Sequence, residues 1–213
     1  MPQFAGEFEL HLTVALDTPE SWAVLRQRAR LQGLKCVHIV LPDGSWPSQP
    51  MLTAHHVGTL TSELARGRQM CDELSAAGLQ PIRLKLEVSA DHPEAMLQAH
   101  ASESARYFEQ HVKVLLNAEA DRSSLTDLAR RNTARWSRNA LKQRTDGCVE
   151  RFLTQRVEKG GHTLATQRLK DLLQDLKSSN ISWLRVEREY VVFDSRLELD
   201  AGWINREPCD DDT

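Results

Sequence analysis

Two stretches lying 100 residues apart carry one alternating pattern: Phe8, Glu9, His11, Val14 and Leu16 return as Phe108, Glu109, His111, Val114 and Leu116. In each, apolar side chains fall on one face of a strand and titratable ones on the other, the mark of a sheet with one buried face. A match this short means little alone, so its weight comes from order. Arg83 and Glu87 return as Arg185 and Glu189 in a later strand of each half, and Cys36-Val37 aligns with Cys148-Val149 between them. The chain therefore reads as an internal duplication of strand-helix-strand units.

The elements are punctuated in the usual way. Phe8 to Leu16 is a strand. Thr18 caps a helix with Pro19 in its first turn and Gly33 past its end. Lys35 to Leu41 is a second strand, closed by the Pro42, Asp43, Gly44 turn, and a long loop runs from there to Val57, carrying His55 and His56. Leu60 to Ala77 reads as a helix ended by Gly78, Ile82 to Val88 as a strand and residues 91–104 as a short helical linker. In the second half, Tyr107 to Leu116 is a strand, Ser124 to Asn132 a helix with a Ser124/Asp127 capping box, and Cys148 to Val157 a strand. Thr163 to Ser179 is an amphipathic helix and Trp183 to Phe193 the last strand.

These elements predict an α+β fold: two ferredoxin-like, split βαβ lobes sharing a largely antiparallel sheet, with helices on one side and an open polar face on the other. Residues 1–213 form one domain in this reading, with lobe one at about 1–100, lobe two at about 101–205 and an acidic tail at 206–213. The 40% hydrophobic and 27% charged composition suits a chain with a real core. No run approaches the ~18 apolar residues of a membrane span, and the N-terminus lacks a signal pattern, so a cytoplasmic protein without membrane contact is expected. The four cysteines, Cys36, Cys71, Cys148 and Cys209, form no C-x-x-C pair.

Function must come from the polar face, because the net charge of −3 argues neither for nor against a polyanionic partner. That face would carry Glu9, His11 and Thr13; Arg83, Lys85 and Glu87; Glu109, His111 and Lys113; and Arg185, Glu187 and Glu189. A one-sided sheet shows polar residues at alternate positions merely because water meets them. Histidines opposed across a pseudo-twofold axis, with acids and cations beside them, also suit acid/base work on a phosphate ester. His11 and His111 are then the catalytic pair, on neighbouring strands, with Thr13 and Lys113 beside them and Arg83, Lys85 and Arg185 binding the ligand. Residues 130–144 hold six cations and no acid; as a basic helix they would add Arg135 and Arg138 to the phosphate contacts. Gly160-Gly161 would let backbone N–H groups approach an anion.

His11-Leu12-Thr13 resembles one half of the paired His-x-Thr/Ser signature of two-histidine phosphoesterases, with His111-Val112-Lys113 in the place of the other half. That resemblance implies one histidine activating a hydroxyl and the other protonating the leaving group, without a cofactor. Glu7-Phe8-Glu9-Leu10-His11 is similar instead to the Glu-x-Glu-x-Lys opening of the CYTH triphosphate-tunnel superfamily, with histidine replacing lysine. It implies a charged barrel interior holding a triphosphate and a divalent metal, with Glu7, Glu9 and Glu109 as its ligands. The expected partner is a phosphorylated small molecule, such as a nucleotide, or an RNA end, and the expected activity that of a phosphoester or phosphoanhydride hydrolase. A non-catalytic binding or scaffold module with a protein partner is the alternative.

Overall fold

Each half of the chain runs strand, helix, strand, strand, helix, strand. The computed structural model describes residues 4–97, 106–117 and 122–204. In the first half these elements are β1 (Ala5–Ala15), α1 (Pro19–Gln32), β2 (Lys35–Val40), β3 (Ser48–Thr59), α2 (Leu60–Ala76) and β4 (Gln80–Ser89). A short α3 (Pro93–Met96) leads on to β5 (Tyr107–Asn117), α4 (Arg122–Arg131), β6 (Ala134–Asn139), β7 (Cys148–Val157), α5 (Gly161–Ser178) and β8 (Ser182–Asp194). A single 3-10 turn, Leu197–Asp200, follows.

The local chemistry explains the boundaries. Thr18 and Ser21 form a reciprocal cap at the start of α1, Pro19 fills its first turn, and Gly33 ends it in the left-handed conformation at φ 67°. Thr59 and Ser62 repeat that cap on α2.

All pairs in the sheet are antiparallel, and the strand order is β1-β3-β2-β6-β7-β5-β8-β4 with β4 returning to β1. Each half thus contributes the ferredoxin-like order, β4-β1-β3-β2 and β8-β5-β7-β6, and the halves join through β2/β6 and β4/β8. The α+β, internally duplicated, antiparallel architecture is present as the sequence implies. The polar face, however, is not an open surface: the sheet closes on itself and turns that face inward. Apolar side chains point outward, where Leu10, Leu12 and Val14 of β1 and Leu84 and Leu86 of β4 pack under α1 and α2. Val112 and Val114 of β5 do the same under α4 and α5 with Leu128, Leu172 and Leu176. The core is therefore a sleeve between barrel wall and helices, which leaves the lumen to polar chemistry.

Four sequence expectations differ from the structure. The supposed loop at 42–57 is mostly β3, hydrogen-bonded to β1 and β2 from residue 48 onward. Its Pro50 lies just past the end of the β1 ladder, at Thr13↔Met51, a position where strand proline is tolerated. The supposed basic helix at 130–144 is the end of α4 followed by β6, and β6 gives a sheet strand its normal alternation. With β3 and β6 in place, the counterpart of β2 is β6. The alignment of Cys36-Val37 with Cys148-Val149 therefore paired β2 with β7 and does not hold, whereas Arg83/Arg185 and Glu87/Glu189 do lie on the equivalent strands β4 and β8. α4 begins at Arg122, so Ser124 falls inside its first turn and not at its cap. The first half of the 91–104 linker carries the short α3, while its second half, 98–104, and the acidic tail lie outside the described residues. Among those described, no helix is long and apolar enough to cross a membrane.

Candidate functional site: the lumen of the barrel

Alternation sets which side chains enter the lumen. Glu9, His11 and Thr13 of β1, Arg83 and Lys85 of β4, and Glu109, His111 and Lys113 of β5 all line one cavity of about 250 Å³. The predicted catalytic set His11, His111, Thr13 and Lys113 is thus brought together in one concavity. The histidines are not on neighbouring strands, because β4 and β8 lie between β1 and β5.

Their surroundings repeat with the fold. Opposite His11 in the ladder stands Thr53, and opposite His111 stands Thr154. His11 Nδ1 lies 3.1 Å from Thr53 Oγ1, and His111 Nδ1 lies 2.8 Å from Thr154 Oγ1. His11 Nε2 is 2.7 Å from Glu87 Oε2, while His111 Nε2 is 3.5 Å from the equivalent Glu189 and 3.6 Å from Glu109. Both nitrogens of each ring face a partner. Thr53 falls in the segment read from sequence as a loop, and Thr154 in a predicted strand whose partner the sequence does not name.

A continuous ionic chain crosses the wall. Lys85 Nζ sits 2.6 Å from Glu87 and 2.8 Å from Glu109; Glu109 Oε1 in turn accepts from Arg156 at 2.9 Å, and Arg156 reaches Asp200 at 2.6 Å. Arg83 grips both Asp194 and Asp200, with Nη2 at 2.6 and 3.0 Å, and Tyr107 donates to Asp194 at 2.8 Å. Arg83 is therefore committed to two aspartates. Asp200 comes from the 3-10 turn, which with Trp203 plugs the far end of the lumen; the indole N–H of Trp203 donates to the Trp136 carbonyl at 3.1 Å.

Charge balance fixes protonation. Burial works to raise the Glu87 carboxyl, but Lys85 and His11 overcome it and hold it at about 2. Glu109 is held well below its usual range in the same way, by Lys85 and Arg156 against burial. For His111, burial favours the neutral ring, yet Glu109 and Glu189 raise it to about 10, so it is an imidazolium at neutral pH. Glu189 is raised by burial and by the charge of Glu87, against the pull of His111.

The lumen has two unlike halves. The contiguous strands β5, β8, β4 and β1, joined by Arg156 of β7 and Asp200 of the 3-10 turn, supply the ionisable wall just described. The other four, β3, β2, β6 and β7, present Met51, Val37, Ile39 and Phe152 among neutral hydrogen-bonding groups such as Thr53 and Asn139, with Lys35 and Lys142 near the edges. Beyond the lumen lies a wider cavity of about 910 Å³ that shares Glu9, Glu187 and Glu189 with it. It forms where β4 stops at Ser89 while β8 extends back to Ser182. Glu7, His55, His56 and Arg185 lie at this mouth, Arg185 being paired with Glu187 at 2.9 Å.

Other predicted contacts lie elsewhere. Arg138 is on the outer face of β6, and the Arg135 guanidinium turns back to the Ala134 carbonyl at 3.0 Å. Gly160 is a left-handed cap to α5 at φ 88°, without a side-chain cap. The triad Glu7, Glu9 and Glu109 does not fit a divalent metal, because both Glu109 oxygens are held by Lys85 and Arg156. Among the described residues, no three His, Cys, Asp or Glu side chains are grouped to hold one.

No protein-family model and no curated protein matches the chain. Among solved structures it is similar to the acetolactate synthase small subunit of Thermotoga maritima at 11% identity and TM-score 0.32, over 87% of this chain and 94% of that one. A mutant chlorite dismutase from Candidatus Nitrospira defluvii gives 15% identity and TM-score 0.30, over 89% and 92%. The regulatory subunit of aspartate kinase from Thermus thermophilus gives 14% and 0.30, over 82% and 95%. These are distant likenesses of fold and say nothing of the lumen's chemistry.

Proposed function

We propose that the barrel takes a phosphorylated organic molecule, such as a nucleotide, into its lumen and hydrolyses a phosphoester or phosphoanhydride bond there. The observation behind this reading is the concentration of inward-facing cations in an enclosed space: Lys85, Lys113 and the imidazolium of His111 on one wall, with Lys35 and Lys142 at the edges of the other. Low-dielectric walls strengthen such charges and focus them on an anion. Among the described residues Lys35 has no ion-pair partner, and Lys113 pairs only with Glu150, at 2.9 Å.

Within this proposal the phosphate groups lie against the ionic half and the organic part against Met51, Val37, Ile39 and Phe152. The cations offset charge that builds on the phosphoryl oxygens. Glu189, on the same wall beside His111 and raised from its ordinary value by burial and by Glu87, is the group assigned here to exchange a proton with the leaving oxygen. His111 acts as a fixed cation and not as a base. The pseudo-twofold repetition of His-Thr pairs favours the two-histidine resemblance as a second reading, in which His11 would have to exchange Thr53 or Glu87 for substrate.

A panel of tripolyphosphate, nucleoside triphosphates, cyclic nucleotides and 5′-phosphorylated RNA, assayed with EDTA and with Mg²⁺ or Mn²⁺, tests the proposal. Phosphate release that falls about 10² to 10⁴-fold in Glu189→Gln supports it. In the two-histidine reading His11→Gln falls as far while Glu189→Gln does not. Saturable binding without turnover on any substrate assigns the lumen to a binding module.

A further inference from the structure

The barrel wall has a second gap. The β6/β7 ladder runs from Ala134↔Gln155 only to Ser137↔Phe152; beyond it β6 swings to β2, pairing Val40↔Arg138 and Ile39↔Asn139, while residues 148–151 of β7 stay with β5. Between the parted strands lies a cleft of about 420 Å³. Asn139 and Lys142 line both this cleft and the lumen, so the two adjoin at these side chains.

The two openings differ in charge. The mouth between β4 and β8 is lined by Glu7, Glu9, Glu87, Asp91, Glu187 and Glu189 against Arg185 and Arg188. The β6/β7 window is lined by Arg138, Lys142, Arg144 and Arg151 against one carboxylate, Glu150. That carboxylate stands at the threshold: Lys142 lies 3.3 Å and Arg144 3.1 Å from it on the window side, and Lys113 2.9 Å from it on the lumen side. A phosphate arriving here meets four cations, two of which, Lys142 and Arg144, share Glu150, Arg144 being paired with Asp146 as well. It can take Glu150's place on one after another and so pass to Lys113. An anion arriving at the mouth would instead come within a Debye length, roughly 8 Å, of several carboxylates.

We infer that the basic window between β6 and β7 is the entry port for the phosphorylated ligand, and that the acidic mouth is not. This rests on the lumen binding phosphate, as proposed above. The cost of a wrong route is kinetic, since steering by local charge changes association rates by about 10 to 10³ and falls steeply with salt.

Stopped-flow tryptophan fluorescence with tripolyphosphate tests the port, because Trp136 lines the window and Trp203 the lumen. The expected result is an association rate at least tenfold lower at low salt in Arg138→Glu/Arg151→Glu, with the gap narrowing at high salt and the dissociation rate little changed. Lys170→Glu/Lys177→Glu alters net charge equally on α5, and should leave the rate within twofold of wild type. If the double window variant melts early, the single change Arg138→Gln at an exposed site should still lower the rate about threefold. A rate unchanged in the window variants, or lowered equally in the α5 control, overturns the port while leaving the binding proposal intact. Failure of the wild-type protein to bind tripolyphosphate removes both.

Discussion

Lys85 of the first half and Glu109 of the second meet inside the barrel wall, Nζ to Oε2 at 2.8 Å, and so bridge the two copies of the duplicated unit. Both are nearly buried, and Lys85 also serves Glu87 at 2.6 Å. Removing the ammonium leaves two carboxylates facing each other in a low-dielectric wall. Lys85→Met should therefore cost about 3 to 5 kcal/mol in urea unfolding, and adding Glu109→Gln should recover part of that loss.

The same carboxylates set the acid limit. Glu87, depressed to about 2, and Glu109, also depressed, contribute stability that is fully present above their unfolded value near 4.5 and lost as pH falls through the folded value. For Glu87 the shift corresponds to about 3 kcal/mol. Unfolding free energy followed by urea titration from pH 6 to pH 2 should fall steadily below about pH 5, and Glu87→Gln should flatten that slope.

His111 acts with the opposite sign. Its folded value, about 10, lies above the unfolded 6.5, so its contribution is complete below about pH 6.5 and lost progressively as pH rises toward 10. The wild-type protein should lose a few kcal/mol across that window, on the order set by the shift. His111→Gln should be less stable at pH 6 and nearly pH-independent between 7 and 10. NMR titration of the His111 ring checks the value directly.

The parts of this molecule that read clearly from sequence are those where one face is apolar and the other polar. β1, β4 and β5 alternate cleanly because their outer residues sit under helices and their inner ones in the lumen. β3 and β6 were hidden for different reasons. β3 carries Pro50 and inward residues such as Gln49 and Thr53 that look like loop chemistry, while β6 keeps a cation, Arg138, on its outer face at the wall's gap. Closure itself has no local signature: a polar face toward water and a polar face toward a lumen produce the same alternation. What the residues did show was matched acids, cations and histidines, and those are the groups the lumen gathers. Asp200 and Arg156, which complete the ionic chain, have no sequence signal because they lie far apart in the chain and meet only in the closed fold.

Calorimetric titration with tripolyphosphate and with ATP, in wild type and in Lys35→Met/Lys113→Met, tests most directly whether the lumen is a phosphate site. Both cations line the cavity without taking part in the ionic chain of β4 and β5, so their loss should spare the fold. The expected result is one saturable site per chain, with affinity lowered about tenfold or more in the variant and tighter for ATP than for tripolyphosphate, because only ATP reaches the apolar half of the wall. Absence of binding in the wild-type protein, or equal affinity in the variant, would contradict it.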